Sequence, residues 1–234
     1  MRRPKRTAAI RVRWMHDRLM EAYGPQAWWP AESPFEVILG AYLTQNTSWK
    51  GVERSLANLR EAKALTPEGF RQLRLEELVE MIRPSGFVTR KAAALRAFMS
   101  MLDLEFSQSL ETMASQPTEQ LRARLLALPG VGPETADAIL LYALGHPAPV
   151  ADEYLRRIAE RHALLESPPR KTRADYERLT QITREGFQDI AQPSALYNEF
   201  HALTVVVGKA HCGTVPRCEG CPLAADLPPH RKRN

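Results

Sequence analysis

The chain has 234 residues, of which 44% are hydrophobic, and it carries a formal net charge of +5 with a pI near 9.3. This composition supports one large domain or two small ones, and it excludes an intrinsically disordered chain. No apolar run approaches the ~20 residues that span a bilayer, and no apolar segment follows the basic start, so we expect a cytoplasmic protein with no membrane partner. An excess of basic residues is typical of proteins that bind nucleic acid, although solvated basic tails would give the same net charge.

The hydrophobic pattern is helical along nearly the whole chain, because apolar residues recur at spacings of three and four. Residues 35–43 are apolar almost all round, which predicts a fully buried helix, and residues 201–207 have the same pattern. Proline and glycine breakers separate the segments, and no Asn-Gly or Asp-Gly turn joins alternating strands. The sequence therefore predicts an all-α fold of about ten helices and no sheet.

The most specific local signal is a short turn between two helical patterns, formed by Leu128, Pro129, Gly130, Val131 and Gly132. Pro133 follows at the first position of the next helix, where a missing amide is tolerated. The two glycines permit a tight turn and expose backbone amides beside a helix N-terminus, a combination that binds anions. We expect this helix-hairpin-helix to bind a DNA phosphate without reading bases. An ordinary turn between helices is the alternative.

Asp152 follows a loop rich in glycine and proline at residues 145–149, and it stands where a new helix should begin. On the pattern alone, Asp152 is a plain N-cap.

All three cysteines, Cys212, Cys218 and Cys221, lie within ten residues of one another. That number and distribution exclude a disulfide framework, and they indicate a local metal or cluster site in a reducing compartment.

Four features follow one another along the chain: the hairpin, the helix at 134–144, the Gly/Pro loop and Asp152. Their order resembles the helix-hairpin-helix-Gly/Pro-Asp motif of the endonuclease III superfamily of DNA glycosylases. Further stretches resemble the superfamily as well, and these are residues 34–39, 45–47, 84–87 together with Lys91 and Ala92, and 208–221. The likeness covers residues 30–225. It implies two all-helical lobes with a DNA-binding cleft between them, one at 33–149 that ends with the hairpin, the other combining 1–32 with 150–234 and the cysteine loop.

The resemblance implies a base-excision-repair enzyme that acts, as a monomer associated with the bacterial nucleoid, on double-stranded DNA containing a damaged base. The base must leave the stack before its bond can be reached. Asp152 would then stabilise the positive charge that builds on the sugar as the N-glycosidic bond breaks. Gln45 would fill the gap left in the duplex, with a capping or surface amide as the alternative.

One position departs from the bifunctional members of the superfamily, which place a lysine two residues after the last glycine of the hairpin. Glu134 stands there in this chain. A carboxylate cannot form the imine through which such enzymes cleave the strand, so a monofunctional glycosylase with weak AP-lyase activity is expected. Lys209 could line the base pocket, or it could be a cation at a helix C-terminus.

Four stretches resemble one branch of the superfamily, and these are residues 27–30, 43–47, 83–87 and 134–140. This branch contains bacterial 3-methyladenine DNA glycosylases, and it lines its base pocket with aromatic rings. Trp28, Trp29 and Trp49 could offer such faces to a cationic base, although core packing is the usual fate of tryptophan. Oxidised pyrimidines are the alternative substrate, with or without AP-lyase activity. A non-catalytic DNA-binding protein is the alternative function, but it would have no need of Asp152. A redox or sensing protein that uses a metal cluster is a further alternative function.

Many members of the superfamily carry four cysteines that bind a [4Fe–4S] cluster. Here Leu227 occupies the place of the fourth cysteine. The resemblance implies a structural cluster held by the three cysteines and a non-cysteine ligand, for which Asp226 lies nearest. His211 and His230 are rival ligands, and a zinc site of three cysteines and one histidine is an alternative.

Overall fold

The computed structural model describes residues 7–26, 31–165 and 170–228, and within these ranges every regular element is helical, as predicted. The α-helices are α1 Ala8–Tyr23, α2 Pro34–Leu43, α3 Trp49–Glu61, α4 Pro67–Gln72, α5 Leu75–Ile82, α6 Val88–Glu105, α7 Leu110–Ala114, α8 Thr118–Leu126, α9 Pro133–Ala138, α10 Glu153–Arg161, α11 Arg173–Gly186 and α12 Ser194–Ala210. Short 3-10 turns cover Arg83–Ser85 and Ala224–Asp226, and a π-helical turn, Ile139–Ala143, extends α9. In the described part of the chain, no helix combines the length and apolar character needed to cross a membrane.

Serine and threonine side chains begin many of these helices. The hydroxyl of Ser33 accepts the amide of Glu36 at the start of α2, and Thr7, Thr66, Ser109 and Thr172 act in the same way on α1, α4, α7 and α11. Each such cap satisfies an amide that has no partner within its helix and is worth about 1 kcal/mol. The helix boundaries are therefore set largely by local sequence.

The chain divides into two compact units. One combines Met1–Trp28 with Pro149–Asn234, and the other is Trp29–Ala148. The division falls inside the loop at 145–149 that precedes Asp152. The domain bounds expected from the sequence, and the cleft between two lobes, remain predictions.

The unit Trp29–Ala148 is built around α2. Every residue of this helix after Pro34 is buried, as its apolar pattern predicted. It packs against α3, α6 and α9 with its π-helical extension, and the Tyr42 ring meets Phe98 edge-on at 6.1 Å. The core thus fixes the end of α2, from which the chain leaves towards Gln45.

The other unit packs α1 against α11 and α12, and α10 against α11 and α12. Its core includes Met15, Leu19, Phe187 and Phe200. A Cβ added at Gly208 of α12 would lie 2.2 Å from Cδ1 of Tyr154, so the start of α10 approaches α12 too closely for any larger residue. This packing fixes the segment that carries Asp152.

Candidate functional site

The hairpin has the conformation that its glycines predict. Gly130 has a φ of 76°, in the left-handed region that favours glycine, and Gly132 caps α9 with Pro133 in the first turn. A Cβ added at Gly132 would meet nothing within 4 Å, so the space before the first amides of α9 is open. Leu128 and Val131 are half-buried on either side. An anion can therefore reach these amides.

A buried ion pair braces the two helices of the hairpin. Arg122 of α8 donates from Nε to Oδ1 of Asp137 at 2.6 Å and from Nη2 to Oδ2 at 2.9 Å. This two-point contact fixes orientation as well as distance. Sequence reasoning missed the pair, because a charge on each of two neighbouring helical patterns does not reveal that both point inward.

Gln45 lies against the hairpin. Its Nε2 donates to the carbonyl oxygen of Gly130 and to Oγ1 of Thr135, both at 3.0 Å. These residues are 85 and 90 positions away along the chain. The structure therefore brings together two of the segments singled out from the sequence, and it gives the Gln45 amide a hydrogen-bonding role in the free protein.

Two further residues beside these segments were not identified from the sequence as site residues. Phe87 adopts a left-handed φ of 48°, the residue is 58% exposed, and the guanidinium of Arg90 lies 5.3 Å from the ring centroid. Lys91 is only 2% exposed, and its Nζ donates to the carbonyl oxygens of Leu43 and Ser85. Both belong to a stretch that resembles the superfamily, residues 84–87 with Lys91, but that resemblance alone did not reveal a role for either side chain.

Asp152 caps α10, as the pattern predicted. Its Oδ1 accepts the amide of Leu155 at 2.9 Å, and its Oδ2 lies 3.6 Å from Nε2 of His201 on α12. The Asp152 side chain is 12% exposed and that of His201 is 9% exposed. The carboxylate is thus held in one orientation by its own helix, and the His201 ring lies beside its second oxygen. His201 was not identified from the sequence.

The remaining predicted site residues lie at helix ends or outside the described ranges. Glu134 is exposed in the first turn of α9, and Lys209 is exposed in the last turn of α12. Trp49 begins α3, is 39% exposed, and donates its indole N–H to Glu53 at 2.9 Å. Trp28 and Trp29 lie outside the described residues, as does His230.

The three cysteines lie in the loop after α12. Cys212 is buried, and its Sγ accepts Nη1 of Arg161 at 3.0 Å, while Cys218 and Cys221 are half-buried. Burial raises the pKa of the Cys221 thiol, and the neighbouring Cys212 and Cys218 raise it further.

Asp226, the predicted fourth ligand, has other partners. Its Oδ1 accepts Nε of Arg11 at 2.9 Å, and its Oδ2 accepts Nη2 of Arg11 at 2.6 Å and lies 3.0 Å from Nδ1 of His162. Burial opposes ionisation, but the hydrogen bonds from His162 and Arg11 prevail and lower the pKa of Asp226.

Among the described residues, no three potential ligands are arranged to hold a metal ion. As they lie, these residues do not fit a four-ligand cluster.

Comparison with known proteins places these features in a family. Residues 39–191 match the family described as HhH-GPD superfamily base excision DNA repair protein. A chain from Methanocaldococcus jannaschii, named as a candidate DNA repair glycosylase, is 38% identical over 207 residues, which are 88% of this chain and 90% of that relative.

Solved structures show the same architecture. The 3-methyladenine DNA glycosylase of H. pylori, bound to 1,N6-ethenoadenine, superposes with a TM-score of 0.71 at 28% identity, covering 88% of this chain and 98% of that one. A non-covalent endonuclease III–DNA complex gives a TM-score of 0.74 at 24% identity, covering 96% and 97%. The second likeness is one of fold alone.

Proposed function

The chain belongs to the HhH-GPD superfamily of base excision DNA repair proteins and is a DNA N-glycosylase, and from this premise we propose that it hydrolyses the bond between an alkylated purine and its sugar in duplex DNA. The likeness to a 3-methyladenine DNA glycosylase supports this substrate class. A 3-alkylated adenine carries a positive charge while it is bonded and leaves as a neutral base. Its departure therefore needs no proton donor, only a group that stabilises the sugar cation.

The observation that carries this proposal is the position of Asp152. As the N-glycosidic bond breaks, its electron pair goes to the base and positive charge builds at C1′ of the sugar. A carboxylate held by the Leu155 amide can stabilise that charge without rearranging. Water then bonds to C1′, and its proton passes to Asp152 and on to solvent.

Glu134 supports hydrolysis rather than strand cleavage. It occupies the position where the resemblance places the attacking lysine of bifunctional enzymes, and a carboxylate cannot form a Schiff base with C1′. In the proposed reaction no covalent enzyme–DNA intermediate forms, and the product is an abasic site in an intact strand.

The DNA partner is proposed to meet the hairpin first. The open amides at Gly132 bind a phosphate, which positions the protein without specifying a sequence. Gln45, beside the hairpin, would exchange its bonds to Gly130 and Thr135 for contacts inside the duplex when the damaged base leaves the stack.

A panel of duplexes, each carrying one lesion, tests the proposal. Base release and strand cleavage are measured separately for an alkylated adenine, an oxidised pyrimidine and an undamaged control, and borohydride is added to trap any imine. We expect release of the alkylated base, strand breaks only after alkali, and no trapped complex. A preference for the oxidised pyrimidine would contradict the substrate class.

Efficient trapping of the parent protein would contradict the hydrolytic mechanism and would identify an amine as the nucleophile, with Lys209 the first candidate. Glu134→Lys is the matched control. It places an amine at the lysine position of bifunctional enzymes, so it should give a trapped complex where the parent gives none.

A further inference from the structure

Two loops leave helical segments in the unit built on α2, and one lysine joins them. Nζ of Lys91 donates to the carbonyl oxygen of Leu43, at the end of α2, and to that of Ser85, at the end of the 3-10 turn, both at 2.7 Å. The last carbonyls of a helix lack intrahelical partners, and a cation is favoured at that end. Lys91 therefore satisfies two helix ends at once, inside the core.

Each of these loops carries a surface residue two positions after the carbonyl that Lys91 contacts. Beyond Leu43 lies Gln45, whose amide donates to the hairpin at Gly130. Beyond Ser85 lies Phe87, exposed and in a left-handed conformation. A continuous series of contacts thus runs from the turn of Phe87, through Lys91, to the loop of Gln45 and on to the hairpin.

We infer that Lys91 is a positioning residue that fixes the Gln45 loop and the Phe87 turn at one separation, so that both meet the duplex as one surface with the hairpin. The inference rests on the proposed function, in which a base must leave the stack. Unpairing and unstacking a base cost free energy, and groups that stabilise the opened duplex act best when they are already in place.

If Lys91 merely capped α2, its replacement would have a different effect on base release. Its loss would weaken the fold, but the contribution of Gln45 to base release would be unchanged by it. If Lys91 instead positions the Gln45 loop, the two residues act as a unit, and their effects are not additive. A double-mutant cycle separates these cases, because it measures the dependence of one residue on the other.

The experiment compares Lys91→Met, Gln45→Ala and the double variant in single-turnover base release from alkylated duplex DNA. Lys91→Met keeps the length of the side chain and removes both hydrogen bonds, and we expect base release about tenfold slower. Gln45→Ala should slow the parent clearly, but it should slow Lys91→Met by less than about twofold. Lys63→Met, at an exposed lysine of the same unit, is the control and should match the parent.

Equal effects of Gln45→Ala in the two backgrounds would overturn the inference. Should Lys91→Met fail to fold, Lys91→Gln, which retains an N–H donor for one of the two carbonyls, takes its place in the same cycle with the same criterion. If the parent releases no base from any duplex, the proposed function fails. If the parent is active and the effects are additive, the glycosylase assignment stands and only the role of Lys91 is lost.

Discussion

Asp152 and Lys91 are charged side chains largely withheld from solvent, and each is held by a few identified contacts. Asp152 is fixed by an amide three residues away, so its place at a helix start could be predicted from local sequence. The partners of Lys91 are two backbone carbonyls that lie 48 and 6 residues away, and the more distant one is at the end of α2. No local pattern reveals such a partner, so the sequence placed Lys91 in a stretch that resembles the superfamily without indicating a role for it.

Lys91 should make stability depend on pH. Burial, reinforced by the charge of Arg90, lowers the pKa of Lys91 from 10.5 to about 8. Between these values the unfolded chain binds a proton that the folded chain has released, so stability rises with pH. The stability gained from the release of this proton is fully present above about pH 10.5 and is lost as the pH falls through about 8. Urea denaturation at pH 7.5, 9 and 10 measures it.

Lys91→Met is the comparison for this prediction. The variant should lack the rise in unfolding free energy between pH 8 and 10, while Lys63→Met should keep it. Parallel pH dependences in the parent and Lys91→Met would show that the lysine keeps an ordinary pKa in the folded state.

At the scale of elements, the contact between α10 and α12 sets the position of Asp152. Gly208→Ala should force the Tyr154 ring to move, because the new Cβ would lie 2.6 Å from its Cγ. Overpacking of this kind costs about 1–3 kcal/mol, more than the ~1 kcal/mol that alanine gains in a helix. We expect a lower melting temperature and slower base release, since Tyr154 is two residues from Asp152.

The effect of the same substitution should change sign when the whole Tyr154 side chain is absent, because its Cβ, Cγ and Cδ1 all lie within 3.0 Å of the added Cβ. In a Tyr154→Gly background, Gly208→Ala should stabilise the protein by up to about 1 kcal/mol, because only helix propensity remains. Destabilisation in both backgrounds would contradict a clash with Tyr154.

The hairpin offers a second test at this scale. Gly132→Asn should preserve or raise the melting temperature, because asparagine is among the best N-caps. Its side chain would then occupy the amides proposed to bind phosphate. Affinity for damaged and undamaged duplexes should fall by the same factor, on the order of 10–100-fold. A loss confined to damaged DNA, or no loss, would contradict the phosphate role.

Helices with a strong local signal could be predicted from the sequence. The buried pattern of α2, the glycines of the hairpin and the start of α10 at Asp152 each depend on nearby residues. The short helices α4 and α7 and the π-helical turn at Ile139–Ala143 could not, because they span too few residues to show a period. Contacts between elements, such as Arg122 with Asp137, depend on packing rather than on spacing.

On the scale of the whole molecule, one ion pair joins the two ends of the described chain. Arg11 of α1 holds Asp226, 215 residues later, and His162 completes the contact. Asp226→Asn removes the charge on which both partners act, and it should lower the melting temperature by roughly 3–10 °C. Asp189→Asn is the control, since its pair with Arg13 is more exposed and should contribute little.

The same variant tests the ligand assignment at the cysteine loop. Because Asp226 is engaged by Arg11 and His162, its replacement should leave the iron and sulfide content of the purified protein unchanged. Stoichiometric iron and sulfide in the parent that are lost in Asp226→Asn would identify Asp226 as a cluster ligand after all.

The most direct test of the account is single-turnover release of an alkylated purine from duplex DNA by the parent and by Asp152→Asn. Asparagine also caps a helix, so the melting temperature and duplex affinity should stay close to those of the parent. Base release should fall by about 10²–10⁴-fold, or roughly 3–5 kcal/mol of lost transition-state stabilisation. Release at a rate near that of the parent, from a folded Asp152→Asn protein, would contradict the assignment of Asp152 as the catalytic carboxylate.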